Sequence, residues 1–595
     1  MSAIHDDVTF NCGHLLVSCG HLVILCIHLE ASVSRLRRLG AVVGLAAATA
    51  LAGCTGSGGS SEPQRSTAAA EFGAQDMGAM PVDRLRDGGT LTLSTTAWAT
   101  QFNFHQVDGG TDTVAELASL VEPSLFLRDA KGVPRPDPDY LVSAKVTGTA
   151  PQTVIYRLNP KARWSDGKPV GAADFAAQWQ ALGRGDDRFH IADPTGYDQI
   201  ASVTEGGDAH EVKVVFRAPY ADWQRLFTPL YPASAISTPE RFNKGWIDQV
   251  PVTAGPFKVG KLDRTTETAT VVRDPDWWGT RPRLDRIVLR TLLPDAALQA
   301  YRNGEIDTTN AATTEDYAQL KNAERSEIRT GSAWDEVHVA LNGARGPLED
   351  IDVRHAVQRA VDRQALADVA AKGLPVGVPL LGNHIFMTNQ PGYADHSDPW
   401  GTYDLAEARR LLDKAGWKEQ GEGEPRTKDG KELRLRFVIS TYTNRLGLDL
   451  SQLIQSMLAR AGVQVDIVKV PANDYSAKYL NQGNFDLVIF RFTGLSYPGQ
   501  AVSIYERPHG AQSFLNYGRV GDATVDKLLR RAASTLDKKR ATTLYNRADA
   551  EIWRLGHDIE LYQRPQMMAV RAGLANYGIP GLGDIDWTKV GWAGT

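Results

Sequence analysis

Apolar and polar residues alternate with a period of two over much of residues 90–330. This alternation is typical of short strands with one buried face, as in antiparallel sheets. One segment, AADFAAQWQAL (172–182), has helical spacing instead. The pattern predicts strands at TLTLST (90–95), TVIYRL (153–158), EVKVVF (211–216), GPFKVGKL (255–262), ETATVVR (267–273) and IVLRTLL (287–293).

From residue 337 onward, strand patterns alternate with helical ones. The strands are VHVALN (337–342), LRLRFVIS (433–440), VQVDIVKV (463–470), FDLVIFRF (485–492) and IELYQR (559–564). Helical spacing covers 353–370, YDLAEARRLLDKAGW (403–417), 449–462, 522–534 and 540–556. Asp404 and Glu407 form a capping pattern, and Gly416 follows as a stop signal. A strand–helix–strand order predicts a parallel sheet, and hence an α/β protein of two main lobes with an extra strand-rich domain.

The first part of the chain resembles a secretion signal. Arg35, Arg37 and Arg38 precede a short, uncharged apolar run over 39–53, which ends in Leu-Ala-Gly before Cys54. This order is typical of a signal peptide and is too short to span a membrane as a helix. The ending resembles a bacterial lipobox, which predicts a signal over residues 33–53 and a lipid on Cys54. The alternative is an ordinary signal followed by a Cys by chance.

Residues 11–30 repeat a Cys-x-His unit every seven residues, at Cys12, Cys19 and Cys26. One interpretation is a metal knuckle, but the intervening residues are apolar and lack turn chemistry. The other is a mis-annotated extension over residues 1–32, which we favour because a complete signal follows it. Residues 54–89 are rich in Gly, Ser and Ala, which predicts a flexible tether.

Composition and motifs exclude several classes of function. The formal net charge of −5 argues against nucleic acid, which attracts clustered basic residues. No Cys follows Cys54, so the mature chain has neither a disulfide nor a thiol nucleophile. No catalytic motif, metal-ligand spacing or cofactor fingerprint is present, so we expect no metal and no cofactor.

Aromatic residues lie beside Gly, Pro or Asn in three stretches, TTAWATQFNFHQ, GNHIFMTNQPGY and FRFTGLSYPG. Flat apolar walls with a few polar groups suit a ligand cleft, although such rings also cap a core at strand ends. The candidate ligand-binding residues are Trp98, Asn103, His105, Asn342, His384, Phe386, Asn389, Phe492, Ser496, Tyr497 and Tyr517.

Several blocks resemble a known family. YRLNPKARWSDGKPVGAADFAAQWQAL (156–182) is similar to the signature of extracellular solute-binding proteins of family five. AGPFKVGKL, RDPDWWGTRPRLDRIVLRTL, YRNGEID, ALNGARGPLEDIDVRHAVQRAVDR and YDLAEARRLLDKAGW follow in the family's order, and the resemblance covers about residues 86–595. Within these blocks, Trp164 and Phe175 are interpreted as packing residues, Asp166-Gly167 as a turn, and Arg354 with Asp362 as a structural pair.

The resemblance implies a type II, venus-flytrap architecture. Lobe I would comprise residues 86–125, 240–340 and 560–595, the extra domain residues 126–239, and lobe II residues 341–559. Hinges are expected near 335–345 and 555–562.

The resemblance also implies a monomeric lipoprotein at the outer face of the cell membrane. It would capture oligopeptides and deliver them to an ABC permease with its separate ATPase. Two alternatives stay open: a non-transport lipoprotein serving envelope assembly or regulation, and a peptidase.

One departure from the family concerns its Trp-x-x-Asp-Tyr-Pro motif, whose Asp pairs with the peptide's terminal ammonium. This chain reads FRFTGLSYPG, which places Ser496 at the Asp position and Phe492 near the Trp. Weak dependence on a free N-terminus is therefore expected, unless Asp395 or Asp398 takes the role.

Overall fold

The computed structural model describes residues 75–594 except 422, 442, 472–473 and 509–514. The predicted extension, the signal peptide, residues 54–74 of the tether and Cys54 lie outside the described residues.

The strands alternate with short helices along the described chain. The strands are β1 (Thr90–Thr95), β2 (Phe126–Arg128), β3 (Pro134–Pro136), β4 (Leu141–Thr149), β5 (Gln152–Leu158), β6 (Ile200–Glu205), β7 (Glu211–Phe216), β8 (Phe257–Asp263), β9 (Thr268–Arg273), β10 (Arg286–Thr291), β11 (Thr308–Asn310), β12 (Ser326–Leu341), β13 (Thr427–Lys428), β14 (Lys431–Glu432), β15 (Arg434–Ser440), β16 (Gln464–Val470), β17 (Leu487–Phe492), β18 (Asp558–Arg571), β19 (Leu574–Ala575) and β20 (Gly591–Trp592). The α-helices are α1 (Asp112–Val121), α2 (Ala172–Gly183), α3 (Ala233–Ile236), α4 (Pro239–Lys244), α5 (Pro294–Arg302), α6 (Thr314–Leu320), α7 (Ile351–Ala360), α8 (Arg363–Ala371), α9 (Leu405–Lys414), α10 (Arg445–Arg460), α11 (Ala501–Tyr505), α12 (Ala523–Ala533) and α13 (Lys538–Leu555).

The strand-rich segment is built on an antiparallel sheet of order β4-β5-β7-β6. Its strands alternate as the sequence predicts: Val212, Val214 and Phe216 of β7 are buried, and the residues between them are more exposed. Alternation with period two presents one apolar face to the core. The interpretation of the signature block is confirmed, since Trp164 and Phe175 are buried.

The turn in that block has a defined hydrogen-bond pattern. Gly167 N donates to Trp164 O at 2.8 Å, and Gly167 has φ +85°, which favours glycine. The Asp174 carboxylate accepts from Trp164 Nε1 at 3.0 Å and from Ala233 N at 2.8 Å. This carboxylate therefore ties the turn, α2 and α3 together.

Lobe I carries a sheet of order β1-β10-β9-β8. β8, β9 and β10 are antiparallel neighbours as predicted, but β1 runs parallel to β10. A parallel pair needs a long connection, and here the strand-rich segment lies between the two strands in sequence. Leu91, Tyr156 and Leu289 belong to one continuous apolar core, so the strand-rich segment shares a core with lobe I.

A six-stranded sheet of order β11-β18-β12-β17-β15-β16 joins strands from the ranges predicted for lobe I, namely β11 and most of β12 and β18, to strands β17, β15 and β16 from the range predicted for lobe II. The predicted parallel arrangement is confirmed where β15 pairs with β16 and β17. β12 pairs antiparallel with both β17 and β18, so the sheet is mixed. The β12–β18 pair continues into the region of lobe I, where β18 also pairs with β11.

Helix boundaries follow local capping chemistry. Asp404 Oδ1 accepts from Glu407 N at 2.9 Å at the start of α9, and Gly416 has φ +88° just after its end, as predicted. The helical spacing over 353–370 forms two helices, because Val361 is extended and Asp362 caps α8 through Ala365 N at 3.1 Å.

The expected pair of Arg354 and Asp362 is wrong, since their side chains bond elsewhere. Arg354 Nη2 donates to Leu555 O and Nη1 to Leu348 O, both at 2.8 Å, while Asp362 caps its own helix. The Leu555 carbonyl at the end of α13 and the Leu348 carbonyl before α7 attract the cation, and the local sequence does not reveal these partners.

Residues 75–89 fall within the predicted tether, but the structure docks them on the C-terminal segment. Asp76 and Ile579 exchange backbone hydrogen bonds of 2.8 Å, and Leu85 is buried. The tether prediction is therefore corrected for residues 75–89. Among the described residues, none of the helices is both long enough and apolar enough to cross a membrane.

Candidate functional site

The two predicted hinge segments lie side by side in β12 and β18. Glu336 pairs with Gln563 and His338 with Glu560, and the register is interrupted between Ser332 and Glu336. Side chains two apart on a strand share a face. Glu336 and His338 therefore meet Asp558 and Glu560 in a cluster of ionisable groups that is almost completely buried.

His384 joins this cluster from the loop that carries the predicted GNHIFMTNQPGY stretch. Its Nδ1 lies 2.6 Å from Asp549 Oδ1, and its Nε2 lies 2.8 Å from Asp558 Oδ1. His396 Nδ1 contacts the other Asp549 oxygen at 2.6 Å, and His557 Nδ1 contacts Asp558 Oδ2 at 2.7 Å. Acids and imidazoles thus alternate along one buried chain of hydrogen bonds.

The electrostatics assign charges within the cluster. Burial alone would lower the pKa of His384, but the Asp558 charge and the hydrogen bonds to Asp549 and Asp558 raise it well above its usual value. Burial would raise the pKa of Asp558, yet His384 and His557 hold it below the ordinary range. An imidazolium at His384 therefore donates to both carboxylates, which is a strong charge-assisted arrangement.

The acids on the other side of the cluster behave differently. Burial, together with the charges of Asp558 and Asp335, raises the pKa of Glu336 well above its usual value. Burial, with Glu336 and Asp558, does the same to the pKa of Glu560. Desolvation disfavours the charged forms of these carboxyls, so they retain protons that exposed acids would lose.

Two trios in this cluster bring potential metal-ligand atoms within 4.8 Å of one another among the described residues. They are Glu336, His338 and Glu560, and His384, Asp558 and Glu560. Imidazole and carboxylate groups are common ligands of divalent transition metals. Each nitrogen of His384 already has a carboxylate partner, Asp549 on one side and Asp558 on the other.

Aromatic rings cover the cluster at the end of β17. Phe492 stacks on Tyr517 with ring centroids 6.2 Å apart, and His338 lies 5.1 Å from Phe492 and 4.3 Å from Phe490. The backbone N of Phe492 donates to Glu336 Oε1 at 3.2 Å. The structure therefore brings the predicted residues Phe492 and Tyr517 together, directly beside the hinge strands.

The segment after β17 connects lobe II to the other parts of the molecule. Gly494 N donates to Trp334 O of the hinge strand at 3.1 Å. Gly499 N donates to Asp222 Oδ2 of the strand-rich segment at 2.8 Å. Ser496 and Tyr497 lie between these contacts and are half-buried. Burial raises the pKa of Tyr497 to about 12, with Arg128, Asp222 and Asp584 as charged neighbours.

Other predicted residues have positioning roles. Asn103 Nδ2 donates to Phe242 O at 2.9 Å, and Asn342 Nδ2 donates to Gly483 O and Phe485 O at 2.8 and 2.9 Å. His105 Nε2 lies 2.8 Å from Pro229 O, and burial lowers its pKa to about 4. These side chains hold loops in place.

The remaining predicted residues lie in apolar or mixed surroundings. Trp98 packs edge-on against Phe102 with centroids 5.8 Å apart, and its Nε1 has no hydrogen-bond partner within the described structure. Phe386 packs in the apolar core beside α13. Asn389 Oδ1 accepts from Gln563 Nε2 at 3.1 Å, and its Nδ2 is buried without a partner among the described residues.

Sequence reasoning missed Glu336, His338, Asp549, Asp558 and Glu560. A usable signal was present, since 336/338 and 558/560 place ionisable residues two apart in segments that otherwise look like buried strands. Asp395, offered as a substitute acid, accepts instead from Ser397 N at 2.8 Å within its own loop.

The family model described as "Bacterial extracellular solute-binding proteins, family 5 Middle" matches residues 138–508. The chain belongs to this family. One family-5 relative, the oligopeptide-binding protein OppA of Mycobacterium tuberculosis (strain ATCC 25618 / H37Rv), is 36% identical over 556 residues, which covers 92% of each chain. The fold, two lobes with a strand-rich addition, is that of this family.

Other comparisons show how varied the ligands of similar proteins are. The probable monoacyl phosphatidylinositol tetramannoside-binding protein LpqW of the same organism is 30% identical over 332 residues, covering 53% of this chain and 50% of LpqW. The solved structure of the periplasmic EDTA-binding protein EppA superposes with a TM-score of 0.79 at 26% identity, covering 89% of this family-5 chain and 100% of EppA. All three relatives are named as binding proteins.

Proposed function

We propose that this protein is the extracytoplasmic substrate-binding lipoprotein of an ABC importer and captures oligopeptides between its lobes. The observation that carries the proposal is the segment after β17, whose Gly494 and Gly499 bond the hinge strand and the strand-rich segment. We place the ligand beside this segment, where the hinge strand, the strand-rich segment and the end of β17 come together. Similarity to OppA over nearly the full chain supports a peptide as that ligand.

We expect lobe closure to use contacts between the strand-rich segment and lobe II. The Asp222 to Gly499 hydrogen bond and the bond from Ala221 N to Ala533 O, at 2.9 Å, join the strand-rich segment to lobe II. Burial raises the pKa of Asp222 to about 6, so deprotonation above that pH strengthens its acceptance from Gly499 N. Peptide binding shifts the population toward this closed state, which the permease recognises while a separate subunit uses ATP.

The ligand preference follows from Ser496. A hydroxyl accepts a hydrogen bond but does not compensate a buried ammonium charge. Hydrogen bonds to charged groups contribute about 1.5–3 kcal/mol, which is roughly tenfold to a hundredfold in affinity. We therefore expect a peptide and its N-acetylated form to bind within about tenfold of each other in calorimetry. A hundredfold loss would show that another acid holds the N-terminus.

Anchoring and export rest on the sequence before residue 75. The proposal is that Cys54 is the first mature residue and carries the lipid, and that the protein works as a monomer on the outer face of the membrane. Cys54→Ala should release the protein to the medium or leave an unprocessed precursor. Unchanged mass and location in this variant would contradict the anchor.

A second candidate is favoured by the similarity to LpqW: binding of a glycolipid headgroup by a non-transport envelope lipoprotein. Native mass spectrometry of protein purified from rich medium decides between them. Co-purified peptides, intact after long incubation, support capture without hydrolysis. A co-purified glycolipid, with no binding across a broad peptide library, would overturn the peptide proposal, and cleaved peptides would favour a peptidase.

A further inference from the structure

A recess of about 140 Å³ lies in the part of the molecule formed by lobe I and the strand-rich segment. Its walls come from the end of α1, the turn before β4, the loop after β9 and the C-terminal residues 585–589. This volume is close to that of engineered cavities of about 150 Å³ that hold one benzene molecule. None of the residues discussed above for peptide capture lines it.

The inner wall carries an unusual carboxylate. Glu122 lines the recess, is only 2% exposed, and neither of its oxygens has a hydrogen-bond partner among the described residues. Glu122 also caps the C-terminal end of α1, where its backbone N donates to Ala118 O at 2.8 Å. Burial raises the pKa of the Glu122 carboxyl well above its usual value, so the group keeps its proton while it has no cationic partner. Carbonyl groups at a helix C-terminus add partial negative charge, so a cation that enters the recess is favoured both by the helix end and by the carboxylate that forms as Glu122 releases its proton.

Two further acids, Asp137 and Asp586, line the same recess, and the ammonium group of Lys589 lies at its rim. Asp137 accepts from Asp139 N at 2.9 Å, and Asp586 pairs with Lys589 Nζ at 2.9 Å. The Lys589 side chain is 58% exposed, so the ammonium lies toward solvent on Asp586. Glu122 is left as an inner acid without a cationic partner in the described structure.

Aromatic rings supply the apolar part of the recess. Tyr140 and Trp277 pack with centroids 5.6 Å apart, and Trp587 lines the wall formed by the C-terminal residues. Their polar atoms have protein partners: Tyr140 Oη donates to Ala254 O at 2.8 Å, and Trp587 Nε1 donates to Ser119 Oγ at 2.9 Å. What these residues offer a ligand is therefore ring surface, which attracts cations.

We propose that this recess binds a small organic ammonium ion, with Glu122 as its counter-ion and Tyr140, Trp277 and Trp587 as its walls. A metal ion fits less well. The described trios whose ligand atoms lie close enough to share a metal all belong to the hinge cluster, and none includes Glu122, Asp137 or Asp586. An alkylammonium needs one close carboxyl group that can ionise as it binds, together with apolar contact, and the recess supplies both in Glu122 and its aromatic walls.

Calorimetry on the full mature chain tests the site with two probes, tetramethylammonium and 1,4-diaminobutane, and with neutral 1,4-butanediol for comparison. We expect at least one cation to bind and the diol not to bind. Glu122→Gln keeps the shape of the side chain but cannot carry a negative charge, so it should weaken the binding of the cation by at least about tenfold. Glu116→Gln on the same helix is the matched control, because Glu116 does not line the recess.

If Glu122→Gln folds poorly, Trp277→Leu serves as a second variant. It is expected to weaken the binding of tetramethylammonium more than the binding of 1,4-diaminobutane. The inference is overturned if neither cation binds, if Glu122→Gln binds them as the parent does, or if Mg²⁺ or Ca²⁺ binds in their place. Peptide affinity should stay unchanged in Glu122→Gln, so this test is separate from that of the proposed function.

Discussion

The strands of the strand-rich segment and the hinge strands β12 and β18 differ in the side chains that they bury. In β7, apolar Val212, Val214 and Phe216 face the core, and the residues between them are more exposed. In β18, every residue from Asp558 to Gln563 is buried. Its Ile559 and Leu561 join the apolar core of lobe II, whereas Asp558 and Glu560 point into the charged cluster.

The difference shows what a strand needs when both faces are buried. One face is satisfied by packing, and the other carries ionisable groups whose charges depend on distant partners, as when His384 contacts Asp549 and Asp558, more than 160 residues along the chain. Removing a partner from such a network leaves a buried charge uncompensated, whereas removing methyl groups from β5 or β7 leaves only a cavity.

The largest effect is expected for His384→Ala. Loss of the imidazolium leaves Asp549 and Asp558 buried without their shared cation, which costs about 3–5 kcal/mol of unfolding free energy. Val154→Ala, in the core of the strand-rich sheet, should cost roughly 2 kcal/mol for two lost methyl groups and their cavity. Urea denaturation compares the two, and a smaller loss for His384→Ala would refute the distinction.

Glu560→Gln should stabilise the protein, by roughly 1–3 kcal/mol at neutral pH and above. The folded-state pKa of Glu560 is raised, so the folded protein holds a proton that the unfolded chain releases. Below the unfolded-state pKa of about 4.5, Glu560 is protonated in both states and costs the parent no stability. As pH rises above that value, the unfolded chain ionises more readily than the folded protein, so the parent loses stability. The amide removes that loss, so the gain should grow from about pH 4.5 upward.

Thermal unfolding of the parent and Glu560→Gln across pH 4 to 9 measures this difference. Glu205→Gln, on an exposed position of β6, is the control and should show no such growth. A gain that shrinks as pH rises would contradict the protonated state assigned to Glu560.

A pair of buried tyrosines makes the comparison sharper. Tyr505 Oη donates to His384 O at 3.2 Å, whereas the hydroxyl of Tyr156 in β5 has no partner in the described structure. Tyr505→Phe should lower the free energy of unfolding by about 1 kcal/mol, and Tyr156→Phe should leave it unchanged or raise it slightly. Equal losses for the two variants in urea titrations would show that hydroxyl pairing does not separate the regions.

The smallest effect is expected from metal removal. Each ring nitrogen of His384 already has a carboxylate partner, so passage over an immobilised chelating resin should change peptide affinity by less than about twofold in calorimetry. A resin avoids free EDTA, which a similar protein is named as binding. Lost affinity that returns on adding a divalent cation would show that peptide binding depends on an ion, for which the two trios of the cluster are the candidates.

The sequence by itself determined the local elements. Period-two alternation located β1, β5, β7 and β9, and helical spacing located α2, α9 and α10, because each pattern records which side of an element faces the core. The turn at Gly167 and the cap at Asp404 were equally readable, since their hydrogen bonds lie within a few residues. The family motifs then gave the two-lobed architecture.

Only the tertiary structure decided the partners of polar side chains. Arg354 bonds the end of α13 and not Asp362, and Asn103 and Asn342 donate to backbone carbonyl groups of neighbouring segments. Likewise, nothing local marks Glu122 as an unpartnered acid in a recess. The burial of a side chain depends on residues from distant parts of the chain. Because burial decides whether an ionisable group is paired, protonated or unpartnered, a short stretch of sequence does not reveal its state.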